Sequence, residues 1–154
     1  MEDQVMGRRG FSFVEMLIVF IIIGVVAAFG IPRLLSGVEK ANVRSAKAAL
    51  ATMVAKARAA AVARGCTATI SMTSGTTGTV TVSVCKVNGV GTDLLGGVDS
   101  LAARYKLTMT PSVSYMQFDP RGLAVGYSTM TVRFTSSNAS DSVIINQLGK
   151  VVRQ

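Results

Sequence analysis

Few residues in this chain can do chemistry. Its 154 residues include no His, eight carboxylates and two cysteines, Cys66 and Cys85. Without an imidazole, His-based acid–base catalysis and His-ligated metals are excluded. No Gly-x-Ser-x-Gly, Walker or Cys-x-x-Cys pattern occurs. The expectation is therefore a non-enzyme with no cofactor, no metal and no small-molecule substrate. The rival from another class is a membrane-anchored periplasmic enzyme, against which the missing chemistry counts. One carboxylate stands out: Glu15 is the only charge between Phe11 and Pro32, inside an apolar run that extends to about Leu35. A carboxylate near the start of a membrane-length helix is costly, so by default it marks function.

The order of parts around Glu15 narrows that function. A short polar leader containing Arg8 and Arg9 ends in Gly10, ahead of the apolar run. A secretory signal would place its cleavage site after the apolar region, at small residues. Cleavage here would leave the apolar run on the mature protein. With Gly10 before the cut, Phe11 first, Glu15 fifth and Pro32 at the helix-bending position, the pattern resembles the class III signal of type IV prepilins and type II secretion pseudopilins. The resemblance implies cleavage after Gly10 and N-methylation of Phe11 by a prepilin peptidase, then assembly with other pilins or pseudopilins into a filament. It implies a single-pass protein of the bacterial inner membrane, N-terminus cytoplasmic and head periplasmic, that later enters a periplasmic pseudopilus or pilus. It also assigns Glu15 a role. The carboxylate pairs with the Phe11 amine of a neighbouring subunit and sets the axial register, because pairing removes most of the cost of a charge in a low-dielectric core.

These residues need elements to hold them. The run from Phe11 to about Leu35 is long enough to cross a bilayer as one helix, and Pro32 should kink it by removing a backbone donor. From Ser36 to Arg64 the sequence is Ala-rich and helical in period. Val43, Ala46, Leu50, Met53, Ala57 and Ala60 form an apolar stripe, and Lys40, Arg44 and Lys47 lie together on another face. Gly65 is placed to cap the helix. Seven cations between Arg33 and Arg64 face Glu39 alone, against +8 for the whole chain. Such a surface suits anionic head groups or nucleic acid, or is simply a solvated helix face.

Beyond Gly65, Thr, Ser, Val and Gly dominate. Strands are expected at 67–73, 79–85, 104–110, 112–118, 130–135, 142–146 and 151–153, with a hairpin turn at 74–78, a flexible loop at 89–97 and a tight turn at 118–122. One helix followed only by strands gives an α+β, pilin-like fold, with a long N-terminal helix laid on a small antiparallel sheet. The domains are then a cleaved leader (1–10), a transmembrane or filament-core helix (11–35), an amphipathic helix (36–64) and a β-rich head (65–154).

Cys66 and Cys85 are either a disulfide, allowed in a periplasmic head, or two small buried hydrophobes. In a regular hairpin they would point to opposite faces; a bulge, or Cys66 still lying in the helix cap, would remove that conflict. Phe118-Asp119-Pro120-Arg121-Gly122 and Gly149-Lys150-Val151-Val152-Arg153 resemble the FimT/GspH family of minor pilins and pseudopilins. The resemblance implies an H-type minor pseudopilin of a type II secretion pseudopilus. The alternative is a FimT-like pilus subunit that binds DNA during uptake. Some FimT-like proteins use Gly-Arg-x-Arg for this; here Lys150 replaces the first Arg and Val152 stands at the second. DNA contact carries over only onto Lys150 and Arg153, the latter shifted by one residue.

Overall fold

The computed structural model describes residues 12–86, 90–126 and 129–153. Helix α1 runs from Phe13 to Arg64, continuing through Pro32. The chain divides into two compact units after Ser36.

The first unit is the apolar part of α1. It contains an 18-residue window of mean hydropathy 2.8 with none of its residues buried. By length and composition that stretch can cross a membrane.

The second unit starts at Gly37 and carries the rest of α1. Its buried side chains are Val43, Ala46, Lys47, Leu50, Val54, Ala57 and Ala61. The expected stripe is thus rotated: Met53 and Ala60 sit at its margin, partly buried, while Val54 and Ala61 lie within it. Lys47 is a larger correction. It does not share a solvated face with Lys40 and Arg44 but falls in the buried row, one turn from both Val43 and Leu50. Helix α1 ends as a Schellman motif, with Gly65 N–H donating to Val62 O and Cys66 N–H to Ala61 O.

Among the described residues, nine strands and a short helix follow: β1 (Ala68–Met72), β2 (Val80–Cys85), β3 (Thr92–Asp99), α2 (Leu101–Arg104), β4 (Thr108–Pro111), β5 (Tyr115–Phe118), β6 (Ala124–Val125), β7 (Thr129–Thr135), β8 (Ser140–Asn146) and β9 (Val151–Arg153). The strands form two antiparallel sheets rather than one, in the orders β3-β2-β1-β5-β6 and β4-β7-β8-β9. A bridge between Gly75 and Met109 and the bond from Ala124 N–H to Gln147 O link them. The buried faces of both sheets and of α1 share one core, which includes Leu50, Ile70, Met116, Phe118, Phe134 and Ile145.

Two further expectations need correction. The supposed flexible loop at 89–97 is mostly strand β3, paired with β2 from Cys85↔Thr92 to Val80↔Asp99; residue 89 itself lies outside the described residues. As an edge strand, β3 exposes Leu94 and Val98, so it lacks the buried alternation that reveals a strand. The strand expected at 104–110 shortens to 108–111, because Leu101–Arg104 form α2.

Candidate functional site

The expected leader, Gly10 included, and Phe11 lie outside the described residues. The first unit begins where Ser12 O accepts the N–H groups of Glu15 and Met16. Glu15 sits exposed in the first turn of α1, where the positive end of the helix dipole favours a carboxylate. Among the described residues it has no hydrogen-bond or ion-pair partner. Around it Phe13, Met16, Leu17, Ile18 and Val19 are all exposed. A free carboxylate on an uncovered apolar helix can recruit a cation from outside this unit. Further along, Pro32 leaves Ala28 O without its helical donor.

In the second unit, α1 is tied to the β7–β8 hairpin through two acids, Glu39 to its turn and Asp141 in β8. Glu39 accepts from Ser137 Oγ at 2.6 Å and from Asn138 N–H at 2.8 Å. Those donors hold its carboxyl below the usual range, Ser137 contributing most. Lys47 Nζ donates to Asp141 Oδ2, and Asp141 also accepts from Ser142 N–H. Burial pushes the Asp141 carboxyl up, but the Lys47 hydrogen bond, the Ser142 N–H and the charges of Lys47 and Arg44 outweigh it and hold the group low. Lys40, Val43 and Arg44 face residues 138–141 across a pocket of about 260 Å3.

At the other end of α1, Cys66 and Cys85 are disulfide-bonded, with Cα atoms 6.3 Å apart. The parity conflict does not arise: Cys66 precedes β1 and lies in the bend after the helix cap. Arg64 reinforces the link, donating to Cys85 O at 2.7 Å and Asp93 Oδ2 at 3.0 Å.

The two C-terminal motifs meet on α1. The 118–122 turn closes through Gly122 N–H to Asp119 O at 2.8 Å. Asp119 Oδ1 accepts from the N–H groups of Arg121 and Leu123. The Leu123 bond is the main reason its carboxyl is held low. The β8–β9 hairpin is held by Asn146 Oδ1, which accepts from the N–H groups of Leu148 and Lys150. Gly122 and Gly149 both have positive φ, +78° and +68°. A Cβ at Gly122 would lie 3.0 Å from Arg58 Nε, and one at Gly149 3.0 Å from Phe118 Cε1 and 3.4 Å from Arg58 Cδ. Both positions therefore require glycine for conformation and for space. Lys150 is exposed just before β9, and Arg153 ends that strand opposite Val143.

The structure thus joins Cys66 to Cys85 and sets Lys150 and Arg153 on one hairpin. Sequence reasoning missed Glu39, Arg58, Asp141 and the true place of Lys47. Only Lys47 left a signal, a spacing of three and four residues from Leu50 and Val43 in an apolar row. The others depend on contacts to strands far along the chain.

Two family models match: the Type II transport protein GspH over residues 46–149, and the prokaryotic N-terminal methylation motif over residues 5–31. No curated protein matches the sequence. Among solved structures, the type IV minor pilin FimU of Pseudomonas aeruginosa is similar in two crystal forms. One is 19% identical with a TM-score of 0.59, covering 75% of this chain and 90% of that one. The other is 17% identical with a TM-score of 0.51, covering 72% and 91%. At this identity the likeness speaks for the fold.

Proposed function

The chain belongs to the GspH family of type II transport proteins, a structural pilin-like family, and from that premise we propose that it is an H-type minor pseudopilin of a type II secretion pseudopilus. In this reading a prepilin peptidase cuts after Gly10 and methylates Phe11. The subunit waits in the inner membrane with its head in the periplasm and is then extracted into the filament. Residues 13–35 pack with neighbouring helices, and Pro32 supplies local play. Glu15 meets the Phe11 amine of the next subunit and fixes register.

The carrying observation is the methylation-motif match over residues 5–31 together with an apolar helix none of whose most hydrophobic window is buried and whose first turn presents Glu15. Apolar side chains left this open are not covered by any of the described residues, and lipid or like helices are the partners that fit. The test is the intact mass of the protein purified from its native membrane. The expected species starts at N-methylated Phe11; a retained leader would sink the assignment. The oxidised Cys66–Cys85 pair supports an oxidising compartment for the head.

A second reading is favoured by exposed Lys150 on the β8–β9 hairpin: a FimT-like minor pilin that contacts DNA through Lys150 and Arg153. Binding of duplex DNA that weakens steeply with salt and drops in Lys150→Ala and Arg153→Ala would select it. No binding at low salt would leave the secretion pseudopilin.

A further inference from the structure

The helix carries a cation pair that neither the core nor the filament register uses. Lys40 and Arg44 stand one turn apart on α1, both exposed, and form one wall of the 260 Å3 pocket; Asn138, Ala139, Ser140 and Asp141 form the other. Neither cation makes an ion pair among the described residues. Both acids nearby are engaged: Glu39 accepts from Ser137 and Asn138, and Asp141 from Lys47 and Ser142. Three cations (Lys40, Arg44, Lys47) against these two acids leave the pocket net positive. Its walls are also fixed relative to each other, because Glu39 pins the very turn that faces Lys40 and Arg44.

The place of the pocket in the sequence limits what can reach it. Lys40 follows Leu35, the end of the apolar run, by five residues. Five residues span about 8 Å as a helix and at most about 18 Å when extended. A head-group layer is roughly 5–8 Å thick per leaflet. The pocket is therefore tethered at the membrane surface whenever the apolar segment is inserted. Nucleic acid fits less well, since useful affinity needs many phosphate contacts and this pocket offers only Lys40 and Arg44.

We propose that the Lys40–Arg44 pocket binds the phosphate head group of an anionic phospholipid in the leaflet where the anchor emerges. The Arg44 guanidinium can meet two phosphate oxygens at once, and the Lys40 ammonium supplies a second charge. The contact would hold the head down on the membrane while the subunit is stored. It must break when the subunit is extracted. This proposal rests on residues 13–35 being a membrane anchor.

The experiment uses the full-length chain. Carbonate extraction of membranes comes first, and the chain should resist it. The protein is then released from bilayers of mixed phosphatidylglycerol and phosphatidylcholine, and the retained lipid is counted by native mass spectrometry. The expected result is a preference for phosphatidylglycerol of roughly tenfold or more, lost in the Lys40→Ala/Arg44→Ala double variant and kept in Lys56→Ala, an exposed cation elsewhere on α1. No preference in the parent, or the same preference in the double variant, overturns the proposal. Displacement of the lipid by inorganic phosphate at concentrations matching the lipid's overturns the lipid assignment, and displacement by short duplex DNA transfers the site to nucleic acid. Release by carbonate overturns the anchor reading itself, which separates that failure from a failure of the pocket.

Discussion

Ile21 and Phe29 in the first unit are 58% and 73% exposed, whereas Ile70, Phe118 and Phe134 in the second expose nothing. The residue types are alike, so the difference lies in what each unit can bury. A lone helix has no second layer to pack against, and its apolar surface must be covered by lipid or by other chains. The second unit closes two sheets and half a helix around one core of its own. Glu15, the one carboxylate among the described residues of the first unit, has no partner among the described residues, while Glu39, Asp119 and Asp141 in the second each accept two or more hydrogen bonds. One unit leaves its described apolar side chains open, the other buries its own around a core.

The sharpest way to break this contrast is Glu15→Ala. If the carboxylate meets a neighbour's amine in a dry filament core, its removal leaves that amine unpaired. The cost is on the order of 3–5 kcal/mol, or about a hundredfold to several thousandfold in incorporation. Quantifying the subunit in sheared filaments should show near-complete loss, with the thermal melt of the head unchanged. Equal incorporation of the variant would mean that the first unit, too, needs no outside partner for its charge.

Phe118→Ala probes the other side. Phe118 is fully buried and lies beside Gly149. Truncating a buried Phe costs roughly 3–5 kcal/mol, so the full-length chain in mild detergent should melt markedly lower. Phe20→Ala, at a site 67% exposed, should leave the same transition in place. Similar shifts for both would erase the distinction between the units.

How much of this was legible beforehand follows the same divide. The membrane-length apolar helix and the methylation-motif pattern read directly, because both are local in sequence. The long helix, its cap at Gly65, the α+β class and the paired strands β1, β2, β7 and β8 are also carried by short-range period. Three things were not. Strand β3 was hidden because Gly96, Gly97 and exposed Leu94 and Val98 break the alternation. The two-sheet topology depends on non-local pairings such as Ala68↔Phe118, which no local pattern states. Lys47 was misplaced because charge argues for solvent, and only its distant partner Asp141 makes the buried position tolerable.

The disulfide sharpens the idea that the head is self-sufficient. Cys66 and Cys85 are 19 residues apart and join the end of α1 to the end of β2. A loop of this length is worth about 3 kcal/mol through the unfolded state. Unfolding of the full-length chain in denaturant should therefore shift clearly when a reductant is added, and Cys66→Ser/Cys85→Ser should show that shift without reductant. Extraction of the chain from membranes should stay the same in both cases, since the first unit contains no cysteine.

The smallest effect concerns the Lys47–Asp141 pair, and its sign is fixed by the direction of the Asp141 shift. The folded carboxyl titrates below its unfolded value, so the stabilisation is fully present above the ordinary Asp range, near pH 4. It is lost as pH falls through the lower, folded value. Asp141 keeps 33% of its side-chain surface and Lys47 only 5%. The pair should thus contribute about 1 kcal/mol or slightly more, above an exposed pair and below a sealed one. Melts of the full-length chain from pH 6 to pH 3 should decline for the parent. Asp141→Asn should start lower at pH 6 and lose less on acidification. A parallel decline in both would place the acid sensitivity on Glu39 and Asp119 instead, and Glu39→Gln and Asp119→Asn would divide it between the turn that faces Lys40 and Arg44 and the turn that packs on Arg58.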